Sequence, residues 1–183
     1  LGANTPTTCE LCPAGTYSEL FGQTGVSDCL LCLPGTYSTA LGANSSSTCE
    51  DCPAGTFSPV EGSPTSETCQ ACPAGTFSPY TGQWDISTCE WCPKGTYSEL
   101  AGRTNVNECI QCAAGSYSET TGANTSAACV ACAAGKYSEE LGAVNESTCI
   151  NCIPGRYSTV EGANTSHTCS ACVAGRYSTA WGA

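Results

Sequence analysis

Apolar and polar positions recur along this chain with a period of 20 residues. Each repeat has a cysteine pair, then glycine, an aromatic residue and serine, as in Cys9-Glu-Leu-Cys-Pro-Ala-Gly-Thr-Tyr-Ser18, and a second glycine lies midway to the next pair. The pattern C-x2-C-x2-G-x-(Y/F)-S-x3-G-x6-C continues without an insertion. A fixed period of this length is typical of a linear array of small stacked units. We therefore predict one continuous cysteine-rich repeat array of nine 20-residue units over residues 1–183. Because the chain starts and stops at one phase of the repeat, we expect a window of a longer chain.

The residues of one repeat predict a minimal, irregular hairpin. Gly15–Ser18 has a β-branched residue and an aromatic, which favour a short strand, and we expect a second strand in the residues before the next pair, such as 46–49. Between the strands, the glycine and asparagine of Leu41-Gly-Ala-Asn44 suit positive φ. Proline directly after the second cysteine, as at Pro13, rules out a helix there.

No 20-residue unit can close a hydrophobic core, and domains below about 40 residues usually need disulfides, metals or partners to fold. The chain has 18 cysteines in 183 residues, which is the level of disulfide scaffolds and fits an oxidising compartment. We expect the aromatic ring of each repeat to lie over the disulfide and to form the whole core of its own unit. The predicted fold class is small, disulfide-rich and mostly irregular or β, a linear array of hairpin-like units forming an elongated rod with almost no helix.

The cysteine pairs have three possible roles: zinc binding, redox catalysis and structural disulfides. The spacing C-x2-C-x16-C-x2-C lies within that of a four-cysteine zinc site, but nine pairs do not divide into two-pair sites. A redox thiol pair needs a βαβ setting and a lowered thiol pKa, which nine equivalent copies without helix do not supply. Structural disulfides are the favoured interpretation, and we predict no metal site.

Sequence alone does not set disulfide connectivity, but geometry narrows it. A bond within a pair, such as Cys9–Cys12, would leave each hairpin open, whereas Cys12–Cys29 closes a loop around Tyr17. Closing a loop of about 15 residues stabilises by ~3 kcal/mol in the chain-entropy model. We therefore favour bonds from the second cysteine of each pair to the first of the next, with Cys9 and Cys172 pairing outside the window. The predicted pairs are Cys12–Cys29, Cys32–Cys49, Cys52–Cys69, Cys72–Cys89, Cys92–Cys109, Cys112–Cys129, Cys132–Cys149 and Cys152–Cys169.

The charge excludes several partners. The net charge of −11 argues against nucleic acid, which demands a basic face, and against anionic membrane surfaces. No apolar run approaches the ~20 residues of a membrane span, so we expect no membrane contact within the chain. No Ser/His/Asp set, paired-carboxylate site or phosphate-cradling glycine loop can be assembled, so we predict no catalytic residues, no cofactor and no enzyme.

Four Asn-x-Ser/Thr sequons precede cysteine pairs, three of them in one phase and the fourth one residue later. N-glycosylation is predicted at Asn44, Asn124, Asn145 and Asn164. Neighbouring serine and threonine clusters are candidates for O-linked glycans.

Deviations from the repeat are the places to look for function. Tyr80, Trp84, Ile86 and Trp91 form an apolar group in a repeat without a sequon, and Trp84 stands where other repeats have asparagine. This group is a candidate lateral contact, since exposed aromatic patches mark interfaces; the alternative is that the rings pack on their own repeat.

A second deviation is basic. Lys136, Arg156 and Arg176 share one phase where earlier repeats have threonine. They form either a basic stripe that faces acidic residues of a staggered chain or a simply solvated face.

The segment Cys-Pro-Ala-Gly-Thr-Tyr-Ser, followed by glycine and Cys-x2-Cys, resembles the ephrin-receptor-like cysteine-rich repeat, one of the wider set of tumour-necrosis-factor-receptor-like modules. Similar long arrays occur in large extracellular proteins of algae and other protists. The resemblance covers essentially all 183 residues. It implies an extracellular or cell-surface, disulfide-linked, elongated ectodomain, and it supports the loop-closing connectivity. Receptor modules vary in length, whereas this chain keeps one repeat length throughout, which favours a repetitive, load-bearing role over ligand binding.

The function that these observations favour is a structural building block of an extracellular glycosylated fibre, filament or cell-surface appendage, which associates with other copies of itself. The alternative is the stalk or ligand-binding ectodomain of a cell-surface receptor.

Overall fold

The computed structural model describes residues 9–183, so the first eight residues of the predicted array lie outside the described part of the chain. The chain divides into two compact units. Unit 1 runs to Cys72 and also includes Ser78–Glu90 and Gly102–Thr104, and unit 2 consists of Pro73–Phe77, Trp91–Ala101 and Asn105–Ala183. Both units are built from the same 20-residue repeat.

Each repeat contributes very short strands, which pair as antiparallel hairpins. In unit 1, Thr16–Tyr17 (β1) pairs with Leu30–Leu31 (β2), and β3 with β4 and β5 with β6 pair in the same way, with the bounds given below. In unit 2, β9 pairs with β10, β11 with β12, β13 with β14 and β15 with β16. The strands are β1 (Thr16–Tyr17), β2 (Leu30–Leu31), β3 (Thr36–Tyr37), β4 (Glu50–Asp51), β5 (Thr56–Phe57), β6 (Gln70–Ala71), β7 (Thr76–Phe77), β8 (Glu90–Trp91), β9 (Thr96–Tyr97), β10 (Ile110–Gln111), β11 (Ser116–Tyr117), β12 (Val130–Ala131), β13 (Lys136–Tyr137), β14 (Ile150–Asn151), β15 (Arg156–Tyr157) and β16 (Ser170–Ala171).

The only helical elements among residues 9–183 are single 3₁₀ turns just before the first cysteine of a pair. These elements confirm the predicted fold class, a small disulfide-rich chain of mostly irregular and β structure. The turns are Val26–Asp28, Ser46–Thr48, Ser66–Thr68, Ile86–Thr88, Val106–Glu108, Ser126–Ala128, Glu146–Thr148 and Ser166–Thr168.

One strand of the predicted hairpin is confirmed and the other is wrong. The Gly15–Ser18 segment contains β1, as predicted. The residues before Cys49 form a 3₁₀ turn instead of a strand, because Ser45 accepts a hydrogen bond from the Ser47 amide and its carbonyl accepts one from the Thr48 hydroxyl. Such local side-chain bonds compete with strand formation. The second strand is β4, which consists of the two residues between the cysteines and pairs with β3.

Eight disulfides join the second cysteine of one pair to the first cysteine of the next, the pairing that the sequence favours. Their Cα–Cα distances lie between 5.6 and 5.8 Å, within the usual range. Cys9 and Cys172 are free thiols in this chain. The disulfides make up much of the core, since Cys32 and Cys52 are fully buried. The bonds are Cys12–Cys29, Cys32–Cys49, Cys52–Cys69, Cys72–Cys89, Cys92–Cys109, Cys112–Cys129, Cys132–Cys149 and Cys152–Cys169.

The buried aromatic rings pack against the disulfide of the following loop. Phe57 clusters with Cys72 and Cys89, which are bonded to each other, although Phe57 itself lies within the loop closed by Cys52–Cys69. The expectation that each ring completes the core of its own unit is therefore wrong. The reason is the strand register, because β5 pairs with β6, the strand that leads directly into Cys72.

Backbone hydrogen bonds connect successive repeats in the same way throughout each unit. The Gly15 amide donates to the Ser38 carbonyl at 2.7 Å, the Ser18 amide donates to the Ala43 carbonyl at 3.0 Å, and the Gly42 amide donates to the Cys12 carbonyl at 2.8 Å. The serine after the aromatic residue is buried at this junction, and Ser38 is only 1% exposed. The repeats are thus joined by main-chain hydrogen bonds as well as by the peptide bonds of the chain.

A closer backbone contact joins a repeat to the second repeat after it in the chain. Gly15 has φ +83°, and a β-carbon on it would lie 2.0 Å from the carbonyl oxygen of Gly62. The same contact recurs between Gly35 and Gly82 in unit 1 and between Gly95 and Gly142 in unit 2. The first glycine of the repeat pattern is therefore required by this close approach of backbone to backbone, and the second glycine, such as Gly62 with φ +64°, is favoured by its left-handed backbone.

Candidate functional site: the exposed positions of the repeat

In most repeats the residue after the second glycine is buried or half-buried, and the residue after that is exposed. Gly42 has φ +65°, the next residue, Ala43, is 7% exposed, and Asn44 is exposed. Asn44 does not adopt the positive φ that the sequence suggested for it. We call the place of Asn44 the outer position, since every residue there is exposed: Thr24, Asn44, Pro64, Trp84, Thr104, Asn124, Val144 and Asn164.

The next residue, which we call the cap position, precedes the 3₁₀ turn and has a structural role. Its side chain accepts a hydrogen bond from the amide two residues later, as from Ser87 to Asp85 at 2.8 Å and from Asn107 to Asn105 at 2.9 Å. Serine, threonine, aspartate and asparagine are the residues that cap helical turns in this way. The residues that cap are Ser45, Asp85, Asn105, Thr125, Asn145 and Thr165.

The four sequon asparagines fall into these two positions. Asn44, Asn124 and Asn164 are at the outer position, and none of their side-chain amides takes part in a hydrogen bond among residues 9–183. Asn145 is at the cap position and is half-buried. Its amide oxygen accepts from the Ser147 amide at 3.0 Å and from the Ser147 hydroxyl.

A feature that sequence reasoning missed is a carboxylate that supports each outer-position sequon. The Glu19, Glu99 and Glu139 side chains accept hydrogen bonds from the backbone amides of Ser46, Ser126 and Ser166, at 3.1, 3.0 and 3.1 Å. Each of these serines is the last residue of a sequon. The signal was present in the sequence, since a glutamate stands 27 residues before each serine, but nothing local indicates that the pair meets.

The hydrogen bond from the backbone amide of Ser126 lowers the pKa of Glu99 below its ordinary value of 4.5. A carboxylate that accepts an N–H bond is favoured in its charged form. Glu99 is therefore ionised at neutral pH and holds the start of the turn through its charge.

The four residues of the predicted lateral contact are all exposed, but they belong to different units. Tyr80, Trp84 and Ile86 lie in unit 1, with 62%, 58% and 54% of their surfaces exposed. Trp91 lies in unit 2, where its ring covers Gly122, and it is still 66% exposed. Trp91 therefore packs partly on its own unit. Tyr80, Trp84 and Ile86 present apolar surface to solvent.

Two of the three residues in the predicted basic stripe have partners in their own unit. The Lys136 ammonium lies 2.8 Å from the Glu146 carboxylate, and this contact lowers the pKa of Glu146. The Arg156 guanidinium donates to the Cys169 carbonyl at 2.7 Å, at the edge of a shallow cleft of about 230 Å³ that also contains Tyr137 and His167. Lys136 and Arg156 thus make hydrogen bonds to their own chain.

Residues 9–183 contain no group of three or more His, Cys, Asp or Glu side chains arranged to hold a metal ion. The same part of the chain also has no helix with the length and hydropathy needed to cross a bilayer.

The hairpins, the disulfide pattern and the constant period define a cysteine-rich tandem-repeat protein. A family model described as tyrosine-protein kinase ephrin type A/B receptor-like matches residues 2–49, 43–89 and 101–149. These matches span well over half of the chain, which belongs to this ephrin-receptor-like family of repeats. A search of curated proteins gave no match. Disulfide-rich repeats of this family suggest an extracellular location.

Proposed function

We propose that this chain is a structural building block of an extracellular, glycosylated fibre, filament or cell-surface appendage. The observation that supports this most is the repeated connection between successive repeats, which uses the same main-chain atoms each time. In unit 1 the Gly15 amide donates to the Ser38 carbonyl, and in unit 2 the Gly95 amide donates to the Ser118 carbonyl in the same way. A connection made by the backbone does not depend on side chains, so it can be propagated over many repeats.

The proposed mechanism is mechanical. Each disulfide closes a loop. Main-chain hydrogen bonds connect that loop to the next repeat, and a glycine contact connects it to the second repeat along the chain. In repeat proteins, stability is approximately a sum of the terms for each repeat and for its neighbours. A tensile force on one repeat is therefore distributed over the following repeats. The constant repeat length keeps the contacts between repeats in register.

The proposed setting is secreted or on the cell surface, and the proposed partners are other copies of the chain and covalently attached glycans. Ephrin-receptor-like repeats are typically non-catalytic extracellular modules, which supports a role without catalysis. The net charge of −11 disfavours nucleic acid and anionic membranes as partners.

A second candidate function is the stalk or ligand-binding ectodomain of a cell-surface receptor. The family description, with its reference to ephrin receptors, favours it. The exposed Tyr80, Trp84 and Ile86 also favour it, since aromatic residues are common in protein interfaces. The constant repeat length favours the structural proposal, because ligand-binding loops vary.

Electron microscopy of the native, unreduced protein at low concentration tests the proposal. We expect filaments of uniform width whose axial repeat corresponds to whole 20-residue repeats, and we expect them to disappear after reduction of the disulfides. Particles that remain separate at all concentrations would contradict the structural proposal and favour the receptor alternative.

A further inference from the structure

Three of the four sequons occupy a position where asparagine has no structural task. Asn44, Asn124 and Asn164 are exposed, and their side-chain amides make no hydrogen bond within residues 9–183. The outer position also accepts proline, tryptophan, threonine and valine in other repeats, so the fold does not require asparagine there. Asparagine at this position is therefore not explained by packing or capping.

The fourth sequon has a complete structural explanation. Asn145 caps the turn Glu146–Thr148 through its amide oxygen, just as Asp85 and Asn105 cap theirs without belonging to a sequon. Asn145 is half-buried and its amide oxygen is held by the turn, so its side chain is less free to receive a sugar than an asparagine at the outer position. Capping alone accounts for an asparagine at this place.

We propose that Asn44, Asn124 and Asn164 carry N-linked glycans and that Asn145 does not. The chemical class of the modification is an oligosaccharide on the side-chain amide nitrogen, attached in the secretory pathway. Because all three asparagines are at the outer position, the glycans project from the same place in their repeats. The inference rests on the extracellular setting of the proposed function, but not on the formation of fibres.

The surroundings of each proposed site fit this modification. The glutamates Glu19, Glu99 and Glu139 hold the backbone amide at the end of the sequon, so the turn is fixed without help from the asparagine. The asparagine is left free to carry a large, hydrated group, which belongs on a protein surface.

The position can be tested directly, because the sequence offers a matched pair of substitutions. Pro64→Asn, at an exposed outer position, completes a sequon with Thr65 and Ser66. Asp85→Asn, at a cap position, completes a sequon with Ile86 and Ser87 and keeps a side chain that caps the Ser87 amide. The two changes add equivalent sequons in the two structural positions.

The experiment is to secrete the full chain and both variants from a eukaryotic cell line and to measure the occupancy of each sequon. The protein from the medium is treated with peptide N-glycosidase in heavy-oxygen water, and mass spectrometry counts the labelled aspartates. Recovery from the medium shows that the chain has passed through the secretory pathway. We expect high occupancy at Asn44, Asn124, Asn164 and the new site at 64, and little or none at Asn145 and the new site at 85.

Empty outer positions in secreted protein would overturn the proposal, and so would cap positions occupied as fully as outer ones. Neither result would depend on fibre formation, which electron microscopy measures separately. The glycan proposal and the structural function can therefore fail independently. An Asn44→Gln control, which removes only the acceptor, should lose the label at 44 and keep it at 124 and 164.

Discussion

Gly75 and Gly122 approach each other so closely that a β-carbon on Gly75 would lie 2.3 Å from the carbonyl oxygen of Gly122. The two residues are separated by more than two repeats, and both lie in unit 2. Real β-carbons essentially never approach an oxygen to this distance, so any residue other than glycine at position 75 would force the structure to shift. Since the neighbour is backbone, it cannot rotate away as a side chain would.

The first prediction compares Gly75→Ala with Gly155→Ala. Both glycines have a positive φ, +83° and +82°, but a β-carbon on Gly155 would meet nothing within 4 Å. We expect Gly155→Ala to cost roughly 1–2 kcal/mol for the left-handed backbone alone. Gly75→Ala should cost roughly 1–3 kcal/mol more because of the overpacking. Differential scanning calorimetry with intact disulfides measures the difference, and equal losses of Tm would contradict the close contact.

The second prediction concerns loop closure. Replacing Cys72 and Cys89 together by serine opens one loop, and we expect a loss of about 3 kcal/mol in the free energy of unfolding. Cys9→Ser is the matched control, because Cys9 is exposed and makes no disulfide in this chain. Thermal unfolding of both variants gives the comparison. A control variant as unstable as the double variant would show that the loss does not come from loop closure.

The third prediction is the pH dependence of the Glu99 contact. The bond from the Ser126 amide lowers the pKa of Glu99, so its stabilising effect is fully present above the ordinary value of 4.5. The effect decreases as the pH falls from that value through the lowered pKa of the folded state. NMR titration should give a midpoint below 4.5 for Glu99, with the Ser126 amide shift following the same curve.

Glu99→Gln tests the same contact through the pH dependence of stability. The variant should lose the part of the acid dependence of stability that belongs to this group, since glutamine does not ionise. If the Ser126 amide of the unsubstituted protein shows no transition in that pH range, the hydrogen bond does not form in solution.

The fourth prediction concerns the exposed apolar residues of unit 1. If Trp84 forms a lateral contact between copies, Trp84→Ala should reduce side-by-side association of filaments and leave the Tm unchanged. Tyr177→Ala is a control for the loss of an exposed aromatic ring, since Tyr177 is 88% exposed. Electron microscopy and analytical ultracentrifugation give the readout. Unchanged association of the Trp84 variant would favour the interpretation that this ring contacts only its own repeat.

Much of the local structure could be predicted from the sequence. The period favoured one disulfide pairing, because a bond between successive pairs closes a loop around the aromatic residue and a bond within a pair does not, and Cys12–Cys29 follows that rule. The strand at Thr16–Tyr17 was predictable for a local reason, a β-branched residue next to an aromatic. The strand expected before Cys49 was wrong, because Ser45 and Thr48 close a 3₁₀ turn through their own side chains.

The candidate site, too, could be predicted only in part from the sequence. The sequence revealed the sequons and showed that Asn145 lies one residue later in the repeat than Asn44, but it could not show what this shift means for the side chain. Only the fold shows that one position faces solvent and the other caps a turn. The support that Glu19 gives to Ser46 was also invisible, since it joins residues 27 apart.

The sequence by itself determined the repeat length and the absence of a conventional core, because these depend on spacing and composition, and it favoured one cysteine pairing without fixing it. The tertiary structure alone decided which disulfide Phe57 covers and that Gly75 meets Gly122. Both contacts join residues of different repeats. They arise from the way successive hairpins pack on one another, and the distances of these contacts are not encoded in any single repeat.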